Sequence, residues 1–191
     1  MGGRCEDCIF GKHVTHPFNE KGYRETEILE RIHIDIWGPS PTQSAGGAQY
    51  FMMLVDGYSS YKTVAFLKSK SADVTLNVFE TYHNETERQT GKKLKRVRLD
   101  MGREWHNRAW EEYEKWHGLV FEFMTPYAHQ QNGTVERTLQ TTLDRARTVL
   151  AESGLPVKYW ADTVQTTTYV RNLIPSSRRA NSIPAELWHR K

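Results

Sequence analysis

The chain has 191 residues, 38% hydrophobic and 26% charged, which suits one full-sized core with short extensions rather than several domains. Its 26 Lys and Arg against 23 Asp and Glu leave a formal charge of +3, which permits an anionic partner without demanding one. Two cysteines cannot make a disulfide framework, no run reaches the roughly 20 apolar residues of a bilayer crossing, and there is no repeat or low-complexity block, so collagen, coiled-coil, secreted-miniprotein and membrane readings are excluded and a soluble, intracellular protein is expected.

Residues 1–27 are polar and weakly periodic, an entry segment carrying Cys5-x-x-Cys8, Gly11, His13 and His16. From Leu29 to Trp37 the chain alternates, with Ile32, Ile34 and Ile36 on one side and His33, Asp35 and Trp37 on the other, until Gly38-Pro39 stops what reads as a strand. The β-prone runs Gln49–Val55 and Tyr61–Leu67 flank Asp56-Gly57, a hairpin signal that makes three antiparallel strands. Ser71 and Asp73 can cap a helix ending near Gly91, and Leu94–Leu99 reads as a short strand. Asn107 can cap a second helix bearing Trp110, Tyr113 and Trp116, a set expected to pack in the core, and Leu119–Phe123 reads as a last strand.

Val135, Leu139, Leu143, Ala146, Val149 and Leu150 form the apolar stripe of a long amphipathic helix ended by Gly154 and Pro156, and a further helix is expected over about 157–173. Strands followed by alternating strands and helices describe an α/β fold, a mixed five-stranded sheet flanked by helices.

Three acids stand out. Asp35 is a carboxylate at the centre of an apolar strand, where desolvation penalises it; Asp100 ends a strand; Glu136 lies in the first turn of the long helix. Carboxylates converging from such positions repel unless cations lie between them, and hard divalent ions match oxygen ligands. Thirty-five residues separate Asp100 from Glu136.

The local words around these acids are His33-Ile34-Asp35 before Gly38-Pro39, then Leu99-Asp100-Met101-Gly102-Arg103-Glu104-Trp105, then Tyr127 and Gln130-Gln131-Asn132-Gly133-Thr134-Val135-Glu136-Arg137. Together with Leu155-Pro156, Tyr159-Trp160-Ala161 and Pro184-Ala185-Glu186-Leu187-Trp188, this resembles the integrase of a Ty1/copia-type LTR retrotransposon, in the retroviral integrase superfamily, over nearly the whole chain. The resemblance implies a ribonuclease H-like catalytic core over 28–155 and a helical extension over 156–191. It implies that 1–27 is the remnant of an N-terminal HHCC-type zinc domain and linker, in which Cys5 and Cys8 could ligate Zn²⁺ only with ligands outside this chain.

It further implies a DD35E site in which Asp35, Asp100 and Glu136 bind two Mg²⁺ or Mn²⁺ ions. The activity would be trimming of the element's DNA ends and joining of their 3′-hydroxyls to target DNA by a homo-oligomer that works in the nucleus after a stage in cytoplasmic virus-like particles. Met101 and Arg103 stand where such integrases commonly have Asn and Gly, and His129 where they have Pro. These departures motivate the alternative, a domesticated or decayed module that binds DNA or protein without chemistry; in an active enzyme Arg103 should point outward to a phosphate.

Other residues carry plainer expectations. Asp56 suits a turn, Glu104 ordinary loop solvation, and His33 either a satisfied core position or the orienting of Asp35. Asp144 suits a solvated face or salt bridge. The basic run Arg88–Arg98 holds six cations and no acid and suits either a nuclear localisation signal or a strand edge facing DNA phosphates. The expected DNA contacts are Lys95, Arg98, Arg103, Arg137 and Gln140, the last one helical turn beyond Glu136, with Arg147 a weaker candidate.

Overall fold

The computed structural model describes residues 24–124, 135–176 and 182–189. Cys5, Cys8, His13, His16 and the words from Tyr127 to Thr134 lie outside the described residues. The elements, in chain order, are β1 (Arg31–Trp37), β2 (Tyr50–Asp56), β3 (Lys62–Leu67), α1 (Ala72–Thr90), β4 (Arg96–Leu99), α2 (Arg108–His117), β5 (Val120–Phe123), α3 (Val135–Ser153), α4 (Trp160–Asn172) and α5 (Pro184–His189).

The sheet runs β3-β2-β1-β4-β5, with β1, β2 and β3 antiparallel and β1, β4 and β5 parallel. This is the mixed sheet of a ribonuclease H-like fold. Helices cover both faces, which is why β2 is apolar without alternation. Its Met52 and Leu54 join Ile32, Ile34, Val97 and Leu99 under α1 and α2, around Phe79, Trp105 and Trp110. Its Phe51, Met53 and Val55 face the stripe of α3 and Trp160, Ala161 and Val164 of α4. Trp37 and Asp35 share the α3 side of β1, following the alternation of that strand.

Several local expectations are corrected. β1 starts at Arg31 rather than Leu29, because Leu29 takes a φ of 62°, outside the extended region. The basic strand is not an edge: parallel pairing to both β1 and β5 encloses β4 within the sheet. Trp116 is 87% exposed while Trp110 and Tyr113 are buried. Six residues at about 100° each carry Trp116 roughly 120° away from Trp110, off the buried face. The helix expected from 157 begins instead with a 3₁₀ turn, Val157–Tyr159.

Gly38 closes β1 with φ 131°, and a Cβ there would lie 2.5 Å from the Tyr50 ring, so glycine is required at the turn that follows Asp35 and Trp37.

Candidate active site

Pairing of β1 with β4 matches Ile32 to Val97 and His33 to Arg98. Two further residues along that register, Asp100 comes beside Asp35, one inter-strand spacing of about 4.8 Å away at the backbone. Glu136, exposed in the first turn of α3, enters from the helix layer on the same face. Burial, then the charge of Asp100, and more weakly that of Glu136, raise the Asp35 carboxyl to about 6 against the opposing Ile36 N–H and the Lys70 ammonium. The three acids therefore share one electrostatic field.

Each aspartate is held by local donors. Asp35 Oδ1 accepts from Ile36 N–H at 2.8 Å. Asp100 Oδ1 accepts from Gly102 N–H at 3.1 Å and from the Trp105 indole N–H at 2.6 Å. Both donors to Asp100 fall on one oxygen, so the other is open to a further ligand. Trp105 is fully buried, and its role here was not legible in the sequence, where it stands only as the last residue of the word around Asp100. Lys70 pairs with Glu104 at 2.8 Å, placing a cation beside the acids and assigning Glu104 a partner other than solvent.

Oxygen donors of this kind suit Mg²⁺ or Mn²⁺. Among the described residues no three of His, Cys, Asp and Glu stand close enough to hold one ion as they are. Of the three acids, Glu136 is the exposed one. The donor set fits a divalent cation chemically.

Arg103 is exposed and makes no hydrogen bond or ion pair with Asp100 or Glu136. The other expected DNA contacts are dispersed. Arg98 forms a two-pronged contact with Glu122, at 3.0 and 2.7 Å, in a cluster with Arg31 and Arg96. Lys95 donates to Glu27 at 2.6 Å. The charges of the basic run are thus largely spent on protein carboxylates. Gln140 donates to Asp144, which also pairs with Arg147. Arg137 is exposed on α3.

His33 does not orient Asp35; it is buried, with Nε2 3.9 Å from Glu25. Burial would raise the Glu25 carboxyl, but His33 and Arg31 prevail and hold it at about 2. Asp56 is more than a turn residue: fully buried, it accepts from Leu29 N–H and from the N–H and hydroxyl of Ser59.

No family model matches the chain. It is 37% identical over 187 residues, 98% of its length, to the retrovirus-related Pol polyprotein from transposon TNT 1-94 of Nicotiana tabacum. It is 29% identical over 184 residues, 94% of its length, to the transposon Ty1-NL2 Gag-Pol polyprotein of Saccharomyces cerevisiae. The chain spans 14% and 10% of those polyproteins. Among solved structures, the simian T-cell lymphotropic virus intasome in complex with PP2A regulatory subunit B56 gamma matches 87% of this chain and 56% of its own, with TM-score 0.68 and 14% identity. The HTLV-2 integrase catalytic core domain in complex with magnesium, in its trimeric form, matches 87% of this chain and all of its own, with TM-score 0.63 and 15% identity. At such identities the structural likeness establishes the fold.

Proposed function

We propose that this chain, homologous to copia-type Pol polyproteins over 98% of its length and folded as a retroviral integrase catalytic core, is a polynucleotidyl transferase that trims retrotransposon DNA ends and joins their 3′-hydroxyls to target DNA. The observation that carries the reading is the placement of Asp100 beside the buried Asp35 by the β1–β4 register, where burial first, then the charges of Asp100 and Glu136, raise the Asp35 carboxyl to about 6. A site of this kind is a place for cations and for the phosphates they accompany.

Asp35, Asp100 and Glu136 would hold two divalent cations, whose chemistry is to acidify a water or 3′-hydroxyl and to neutralise the leaving oxygen in an in-line displacement at phosphorus. Trp105 and Gly102 fix the rotamer of Asp100 by binding one of its oxygens. The Ile36 N–H does the same for Asp35. Lys70, beside both Glu104 and Asp35, adds positive charge where a phosphate would approach. Exposed Arg103 is positioned to meet a neighbouring phosphate. The magnesium-bound, trimeric HTLV-2 core and the viral intasome support a metal-dependent, oligomeric enzyme, and a nuclear site of action is part of the proposal.

The test is incubation of a labelled duplex and a plasmid target with Mn²⁺ or Mg²⁺. Shortened strands and plasmid-joined label are expected from the wild type, and neither from Asp35→Asn. Products of equal yield from both proteins would refute the assignment.

A further inference from the structure

At the outer edge of the sheet, β3 begins with Lys62, a buried lysine whose ammonium donates to the Ser60 carbonyl at 2.7 Å. The last turn of α4 is fastened to this strand by one side chain: Asn172 accepts from the Lys62 N–H at 2.9 Å and donates to the Lys62 carbonyl at 2.8 Å. The fastening brings the neighbouring Arg171 into the field of Lys62, and Arg145 of α3 into the field of Arg171. Burial and Arg171 lower the Lys62 ammonium to about 8, and burial and Arg145 push the Arg171 guanidinium down.

Three side-chain atoms here are buried without a hydrogen-bond partner among the described residues: Arg171 Nε, the Thr167 hydroxyl one helical turn before it, and the Ser60 hydroxyl beside Lys62. Among the described residues neither Arg145 nor Arg171 forms an ion pair. Like charges held together, with donors left over, lack an oxyanion, and guanidinium forks with hydroxyls match phosphate geometry. Arg145 is exposed and Arg171 half-buried, so the two guanidinium groups are the members of the cluster that reach solvent, with Lys62, Ser60 and Thr167 buried behind them.

It is a different place from the acids. Asp35 pairs with Met53 and Met53 with Val64, so Lys62 lies two strands across and two residues along, about 12 Å away by sheet geometry. Arg145 is nine residues beyond Glu136 on α3, about 13 Å of helix axis.

We propose that Arg145 and Arg171, backed by the buried Lys62 ammonium and the Ser60 and Thr167 hydroxyls, form a second phosphate site that takes a backbone phosphate of duplex DNA away from the scissile one. The choice of DNA as the source rests on the integrase reading.

Fluorescence anisotropy of a short labelled duplex, measured across a salt series in chelator, tests it with the full chain. Arg145→Gln with Arg171→Gln should weaken binding several-fold and reduce the slope of log K against log salt by about 1, the effect of one phosphate contact. Arg171→Lys alone should keep most of the wild-type slope, separating charge from fold. An unchanged slope in the double variant, with wild-type binding intact, would overturn the second site and leave the integrase reading standing. Failure of the wild type to bind duplex at any salt would overturn both. In a thermal-shift arm, inorganic phosphate should stabilise the wild type and not the double variant. Stabilisation by oligoglutamate but not by phosphate would assign the cluster to an acidic protein partner and overturn the proposal.

Discussion

Asp35 stores unfavourable energy that its replacement should release. Burial, then the Asp100 and Glu136 charges, push its carboxyl up from 3.8 to about 6, so the ionised form destabilises the native state. The stability this group supplies is complete below pH 3.8 and is lost as pH rises through 6. In chelator at pH 7.5, Asp35→Asn should therefore be more stable than the wild type by up to about 3 kcal/mol and melt at a higher temperature, and the difference should vanish at pH 4; a lower melting temperature at pH 7.5 would contradict it. Trp105→Phe keeps the buried ring and removes the N–H that Asp100 accepts. It should cost about 2 kcal/mol in urea unfolding and lower metal-dependent cleavage, whereas unchanged cleavage would deny that the indole positions Asp100. The three acids were legible in the sequence because a carboxylate inside an apolar strand and two more in fixed local words are one-dimensional signals. The Trp105 contact was not, because it depends on a turn that folds an indole back five residues.

At the scale of elements, hydrophobic periodicity located the strands and helices, and its limits explain the errors. A strand edge is one of the two expectations for the basic run, but position within a sheet is set by pairing between distant segments, and β4 lies between β1 and β5. Its cations meet Glu122 of β5, which also binds the buried Arg31 of β1. One carboxylate thus ties three parallel strands together, and burial opposes while Arg96, Arg98 and Arg31 prevail in holding its pKa down. Glu122→Gln should destabilise the protein by about 3 kcal/mol, the scale for breaking a largely buried ion pair, as read from urea midpoints. A midpoint equal to the wild type would mean that the arginines find other partners. The Trp116 error has the same origin: spacing alone brought it into a set whose third member falls off the buried face by helical geometry.

At the scale of the whole molecule, the segment after Pro156 is built into the core. Trp160 packs with Trp37, Phe51 and Phe66, and Trp188 stacks on Tyr61 with ring centroids 5.0 Å apart. The α4 layer thereby holds β3 in place and stands beside α3, the helix whose first turn carries Glu136. Sheet order and strand register bring Asp35 and Asp100 side by side at the ends of β1 and β4, and the cation site proposed above stands on that arrangement. The measurement that tests this most directly is Mn²⁺ titration followed by electron paramagnetic resonance, with melting temperature recorded in parallel. The wild type should bind Mn²⁺ and rise in melting temperature as the folded state is favoured, while Asp35→Asn, Asp100→Asn and Glu136→Gln should each lose affinity and most of the rise. Equal Mn²⁺ binding by the wild type and all three variants would contradict the account.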